Sequence, residues 1–181
     1  MYANPAVAGD RVLIGSCAGA LYALHRDDGR ILWKAAVPNQ MFHGDPVITD
    51  SAVIIGTDGG TADSCFGFLS AFALDSGKVL WQHPATNQTG LGCGITTDIL
   101  RADETVLGVT TTDCLISLNL MDGSLRWTTG ATPSLDGAYW NVSPARRDSL
   151  ILFGRIHGGL EAFDVSSGQV RWRNSKFASA F

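Results

Sequence analysis

Apolar residues in this chain come in short runs broken by glycine, asparagine and aspartate, and never at the spacing of a helix face sustained over three turns. The first stretch sets the pattern. Val12-Leu13-Ile14, Leu21-Tyr22-Ala23-Leu24 and Ile31-Leu32-Trp33 are introduced by turn-forming residues at Gly9-Asp10, Cys17 to Gly19 and Asp28-Gly29. A further extended segment follows Asn4-Pro5. Four short antiparallel strands are predicted here, each long enough to bury its side chains and none long enough to stand alone.

The pattern then recurs. A glycine precedes a tryptophan by four residues at Gly29/Trp33, Gly77/Trp81, Gly123/Trp127 and Gly168/Trp172. The tryptophans are spaced by 48 residues (33 to 81), 46 (81 to 127) and 45 (127 to 172). Ten positions before each lies a small residue: Ala23, Ala71, Ser117 and Ala162. Each glycine falls in a hairpin turn, at Asp28-Gly29, Ser76-Gly77, Asp122-Gly123 and Ser167-Gly168, where a positive φ is needed and a β-carbon would resist it. A unit of four antiparallel strands repeated at this period predicts an all-β propeller built of four-stranded blades. Four blades are expected in this chain, about half of a typical ring, at approximately 1–38, 39–86, 87–132 and 133–175. Residues 176–181 are expected to start a further strand, because Lys176 to Phe181 echoes Met41 to Pro46 and Tyr139 to Pro144.

Other repeat families fit less well. None of the five tryptophans is followed by aspartate, as a Trp-Asp propeller requires. Kelch repeats run longer, and a β-sandwich gives no reason for Gly-x-x-x-Trp to recur.

The segments Ala23 to Trp33, Ala71 to Trp81 and Ala162 to Trp172 closely resemble the tryptophan-docking repeat of the pyrroloquinoline-quinone-like propellers, and Ser117 to Trp127 is similar with serine for alanine. The resemblance covers essentially the whole chain. It implies that Trp33, Trp81, Trp127 and Trp172 pack between neighbouring blades, and that Gly29, Gly77, Gly123 and Gly168 permit the turns. That superfamily includes quinoprotein dehydrogenases, BamB-type outer-membrane assembly lipoproteins, and sensor or interaction domains. An extracytoplasmic, periplasmic or secreted location is implied by the resemblance alone.

Four blades leave two blade faces open, a large apolar liability. A longer chain, a second copy closing the ring head to tail, or a compact four-blade ring would each resolve it.

Composition narrows the function classes. Apolar residues make up 45% and charged ones 17%, with 21 glycines, which describes a folded, turn-rich protein. A formal charge of −4 and the absence of a longer basic run than Arg146-Arg147 leave no footprint for nucleic acid. That pair is expected in a solvated turn. Ala52 to Gly56 and Leu150 to Gly154 are too short to span a bilayer, and residues 1–20 carry no signal-peptide pattern. Cys17, Cys65, Cys93 and Cys114 form no C-x-x-C pair; buried thiols or one disulfide remain open.

Candidate ligand contacts are sought on the innermost strands, which line a propeller's channel. His43, Asp45, Trp140 and Asn141 stand there, Trp140 being the one tryptophan outside the repeat register. His43 with Asp45 could pair, since alternate strand residues share a face, but no third metal ligand accompanies them. Blade two carries an insertion: Gly56 to Trp81 spans 25 residues (56 to 81), against 18 from Gly15 to Trp33 and from Gly154 to Trp172. It is expected to form a polar loop around Asp58 to Cys65, in which Asp58 and Asp63 could meet calcium without EF-hand spacing. Asp27-Asp28 is expected as a solvated corner, and Asn87 and Asn141 head sequon matches of low specificity.

No nucleophile–base pair, Gly-x-Ser-x-Gly elbow or adjacent cysteine pair is present. No catalytic residue, resident cofactor or metal is therefore assigned. The expectation is a non-catalytic binding or assembly scaffold holding a protein, peptide or small ligand. A segment of a quinone-dependent dehydrogenase, with quinone and calcium held by residues elsewhere, and a sensor domain of a larger signalling protein are the alternatives.

Overall fold

The structure, a computed structural model, describes residues 3–61, 64–85, 94–111, 114–129, 143–155 and 159–177. Nineteen strands are assigned among them. Blade I comprises β1 (Ala6–Ala8), β2 (Arg11–Ser16), β3 (Ala20–His25) and β4 (Ile31–Ala36), hydrogen-bonded in that order. There follow β5 (Gln40–Met41), β6 (Val47–Ile48), β7 (Ala52–Gly56), β8 (Asp58–Thr61), β9 (Ser64–Phe66), β10 (Phe68–Ala73) and β11 (Val79–Pro84). Of these, β6, β7, β10 and β11 form blade II, while β5, β8 and β9 make a separate three-stranded sheet. Blade III is β12 (Leu100–Ala102), β13 (Thr105–Val109), β14 (Leu115–Asn119) and β15 (Leu125–Thr128). Blade IV is β16 (Ala145–Arg147), β17 (Leu150–Arg155), β18 (Gly159–Asp164) and β19 (Val170–Asn174). All strand pairs are antiparallel meanders, so the repeat seen along the chain is a repeat of whole blades. Ser175–Phe177 forms a 3-10 turn where a further strand is expected to begin, and residues 178–181 lie outside the described residues.

The ten-residue spacing has a simple cause. The small residue and the tryptophan are direct cross-strand neighbours: Ala23 opposite Trp33, Ala71 opposite Trp81, Ser117 opposite Trp127 and Ala162 opposite Trp172. A small side chain leaves the indole free to lie flat over the sheet. The register shifts immediately after each pair, so a bulge sits at the same place in all four blades. Between the two strands the glycines hold φ near +70°, at Gly29, Gly77, Gly123 and Gly168.

The core lies between blades rather than within them. One cluster joins Leu13, Leu21 and Trp33 of blade I to Val53, Ile55 and Phe72 of blade II. A second joins Ile54, Leu69 and Trp81 to Val106, Ile116 and Leu118 of blade III. A third joins Leu107, Leu115 and Trp127 to Ile151, Phe153 and Phe163 of blade IV. Central strands are accordingly buried on both faces, as the continuous burial of β7 and β13 shows.

Each indole also fixes the next blade by a hydrogen bond. Trp33 Nε1–H donates to the Leu74 carbonyl at 3.0 Å, Trp81 to Leu120 at 3.3 Å and Trp127 to Val165 at 3.1 Å. The floor under each ring is the turn glycine of that next blade. A β-carbon on Gly77, Gly123 or Gly168 would stand 2.4, 2.5 or 2.4 Å from Cε3 of Trp33, Trp81 or Trp127. The glycine is thus required twice, for the turn and for the neighbour's indole.

A second tie runs at the hub. Asn4, Asp45, Asp98 and Ser143 each stand two residues before the innermost strand of their blade. The Asn4 N–H and Nδ2 donate to Asp45 Oδ1 and Oδ2 at 2.5 and 2.9 Å. The Asp45 N–H donates to Asp98 Oδ1 at 2.9 Å. The Asp98 N–H donates to Ser143 Oγ at 3.3 Å, and the Ser143 hydroxyl donates back to Asp98 Oδ2 at 3.0 Å. Blade after blade, one backbone N–H is received by the next blade's side chain.

Two stability measurements follow, both readable by urea unfolding. Trp81→Ala removes an interblade wedge and should cost about 3–5 kcal/mol. Ser117→Ala should be neutral or stabilising by up to about 1 kcal/mol, because the Ser117 hydroxyl is buried without a partner where the other blades carry alanine. A loss of more than about 1 kcal/mol in the serine variant would show that the hydroxyl has a role the geometry does not reveal.

Candidate functional site

The inner segment of blade II, residues 42–46, leaves β5 and enters β6 without regular strand structure. Phe42 is fully buried and its Cβ would stand 2.4 Å from a β-carbon on Gly15, so it fills the hub side of the joint with blade I. Gly44 is required by close approach: a β-carbon there would lie 2.0 Å from the Thr97 carbonyl oxygen of blade III. Buried packing on one side and backbone on the other fix the direction of the residues between them.

His43 and Asp45 therefore find different partners. His43 Nδ1 lies 3.0 Å from Asp58 Oδ1, and both side chains are largely buried. Asp45 turns to blade I, where both its oxygens accept from Asn4. Alternation along a regular strand, the basis for expecting the pair to act together, does not apply because the segment is not a strand. Trp140 and Asn141 lie outside the described residues.

In the insertion Asp58–Thr61 and Ser64–Phe66 are strands where a loop is expected, and residues 62 and 63 lie outside the described residues. β8 and β9 form a hairpin with Gly60 opposite Cys65, and β8 pairs with β5 through Gln40 opposite Gly59 and Met41 opposite Asp58. Glycine permits this pairing: a β-carbon on Gly59 would stand 2.2 Å from the Asn39 carbonyl oxygen. The buried Thr57 hydroxyl donates to Gln40 Oε1 at 2.6 Å. Asp58 also bridges to Gly94, and the Ile95 N–H donates to the Thr57 carbonyl at 2.9 Å. The small sheet is thereby pinned to blade III as well as blade II, and it carries Asp58 to His43.

Electrostatics at this point are set by burial. Desolvation pushes the Asp58 carboxyl above the ordinary aspartate range, opposed by the neighbouring His43. Elsewhere, Arg146 leaves the solvated turn expected of it. It forms a two-pronged pair with Asp103 of blade III, at 3.2 and 2.6 Å, and the guanidinium holds the Asp103 carboxyl low. Asp28 stays at an exposed corner with His25 and Arg30. Among the described residues no group of three or more His, Cys, Asp or Glu side chains is placed to hold a metal ion, and no helix is long and apolar enough to cross a membrane.

The hub ties were the residues that sequence reasoning missed. Their signal was present as Asn4-Pro5, Asp45-Pro46, Asp98-Ile99 and Ser143-Pro144, a polar residue at a fixed place in each repeat. Only pairing across blades shows what the polar residue is for.

Comparison with known proteins agrees with this architecture. A family model described as outer membrane protein assembly factor BamB matches residues 2–180. Among curated proteins, none matches the sequence. The structure is similar to BamB from Moraxella catarrhalis, with 21% identity and a TM-score of 0.71 over 94% of this chain and 47% of that one. It is similar to a europium-containing methanol dehydrogenase, with 13% identity and a TM-score of 0.81 over 96% of this chain and 41% of that one. A quinohemoprotein alcohol dehydrogenase from Pseudomonas putida HK5 gives 14% identity and a TM-score of 0.78 over 95% of this chain and 34% of that one. The chain thus spans less than half the length of these solved structures, and at such identities the likeness shows the fold alone. Four antiparallel four-stranded sheets, wedged by repeated indoles and matched along nearly their full length, identify the chain as a β-propeller member of the family described as outer membrane protein assembly factor BamB.

Proposed function

We propose that this chain is a non-catalytic binding and assembly scaffold, acting outside the cytoplasm and holding a protein or peptide partner on the propeller surface or at the channel mouth. The observation that carries this reading is the match of residues 2–180 to the assembly-factor family. The hub geometry supports it. Polar residues at the inner ends of the blades are engaged in holding blades together, Asp45 on Asn4 and Asp98 on Asp45 and Ser143. Among the described residues the His43–Asp58 pair, largely buried, takes no part in these ties and is the place where we expect a ligand to be met.

The second reading, a segment of a quinone-dependent dehydrogenase, is favoured by the higher TM-scores with the methanol and alcohol dehydrogenases. Calcium beside a quinone takes six or more oxygen ligands. The described hub residues do not fit that demand, because the carboxylate oxygens of Asp45 and Asp98 are already accepting from neighbouring blades. No step through quinone or calcium is derived for this chain.

Binding measurements separate the two. The purified chain should bind purified outer-membrane assembly components or an unfolded outer-membrane protein saturably, in the micromolar range typical of small, partly polar interfaces. It should show neither quinone binding nor dye-linked alcohol oxidation when quinone and calcium are added. Oxidation with quinone, and no binding of the assembly components, would replace the scaffold reading with the enzyme one.

Asp58 supplies a further check by pH. Its folded carboxyl titrates above its unfolded value, so its contribution to stability is present at low pH and is lost as pH rises through the folded value. The melting temperature of Asp58→Asn, relative to the unsubstituted chain, should therefore climb from pH 4 to pH 7. A flat difference would mean that His43 fully offsets the burial.

A further inference from the structure

The central strands of blade II and its insertion share one register. Gly56 stands opposite Leu69, Thr57 and Phe68 exchange backbone hydrogen bonds, and Gly59 and Gly60 stand opposite Phe66 and Cys65. That register leaves Gly67 opposite Asp58. Where these two residues meet, a third segment crosses. Gly94 bridges to Asp58 in antiparallel sense, and the next residue, Ile95, donates its N–H to the Thr57 carbonyl.

At the crossing the backbones touch. A β-carbon on Gly67 would stand 2.3 Å from the Gly94 Cα, and one on Gly94 would stand 2.6 Å from the Asp58 Cα. Neither segment has room for a side chain at this point, and both carry glycine. A cysteine flanks each glycine on the same side: Cys65 is two residues before Gly67, and Cys93 is the residue before Gly94.

Direction and face bring the two cysteines together. From Gly94 to Ile95 the chain passes from Asp58 to Thr57, as the hairpin does from Gly67 to Phe68. The two segments therefore run the same way, and the residues that precede the crossing leave it in one direction. Position 65 shares a face with Gly67, because alternate strand residues do, and Gly94 lies against that face. Cys93 lies outside the described residues, but a trans peptide bond sets its Cα about 3.8 Å from that of Gly94. Two strand residues span about 6.7 Å. Steps of these lengths, taken in one direction from touching backbones, end roughly 5 Å apart, within the ~4.4–6.8 Å that a disulfide spans between Cα atoms. The other two cysteines have different surroundings: Cys17 Sγ donates to the Phe42 carbonyl at 4.0 Å, and Cys114 is fully buried beside β14.

We propose that Cys65 and Cys93 form a disulfide that staples the blade II insertion to the inner segment of blade III. The bond fastens the crossing at which Asp58 sits, and with it the approach of Asp58 to His43. It forms by thiol–disulfide exchange: the two thiols lose two electrons and two protons, and a low-molecular-weight disulfide takes them up and leaves as two thiols.

Mass spectrometry on the purified protein tests the pair, after equilibration with glutathione kept in roughly tenfold reduced excess so that only a favourably placed bond closes. The intact protein should be lighter than its reduced form by two hydrogens. Digestion without reductant should give one linked pair of peptides, joining Cys65 to Cys93. After denaturation only Cys17 and Cys114 should take up an alkylating reagent. Cys65→Ser should release Cys93 to that reagent, and Cys93→Ser should release Cys65. Reductant should lower the melting temperature of the unsubstituted protein by about 5–10 °C and leave that of Cys65→Ser unmoved. Alkylation of all four cysteines in the unsubstituted protein, or a link through Cys17 or Cys114, would overturn the pairing, and a melting temperature indifferent to reductant would overturn the staple. The bond needs no partner protein, so none of these outcomes touches the scaffold reading, which rests on partner binding.

Discussion

The structure depends on one contact: an indole lying on a glycine that belongs to the next blade. Each four-stranded sheet is too small to bury both its faces alone. The clusters around Trp33, Trp81 and Trp127 all cross from one blade to the next, so stability resides in the joints. At each joint the glycine must hold a positive φ for its own hairpin and must lack a β-carbon for its neighbour's ring. Two requirements on one residue explain why glycine recurs at Gly77, Gly123 and Gly168.

The rim joint fixes spacing and the hub tie fixes rotation. An indole can slide on a flat floor, but its N–H aimed at Leu74, Leu120 or Val165 limits that freedom. A second tie near the axis, from Asn4 through Asp45 and Asp98 to Ser143, holds the other end of each sheet. Hydrogen bonds to carboxylates are among the stronger neutral-to-charged contacts. The His43–Asp58 pair and the small sheet of β5, β8 and β9 take no part in these ties.

A shared fold does not fix function, which lives in the sites carried on it. The likeness in shape to the methanol and alcohol dehydrogenases, at 13% and 14% identity, is a likeness of fold. The insertion in blade II is the part of the described chain that departs from the repeat. It is tied to blade III through Asp58 and Gly94, so its position relative to the hub is set by backbone contact and not by loop chemistry.

By itself the sequence determined the four-strand repeat of the blades, the turns and the wedge residues, because these follow from local rules: alternation, positive-φ glycine and a period that brings Ala23 opposite Trp33. It also marked His43 and Asp45 as inner residues. What only the tertiary structure decided was which groups meet across blades. Nothing local distinguishes Asp45 as an acceptor for Asn4, forty-one residues away, from Asp45 as a ligand contact. The same holds for Asp58, whose strand pairing with Met41 places it beside His43 where a loop is expected. The buried Phe42 stands three residues before Asp45 and Ile95 three before Asp98, a register that becomes visible only once the hub ties align the blades. Periodicity reports what a residue does within its own sheet, and contacts between sheets are long-range, so they emerge only when the blades are packed.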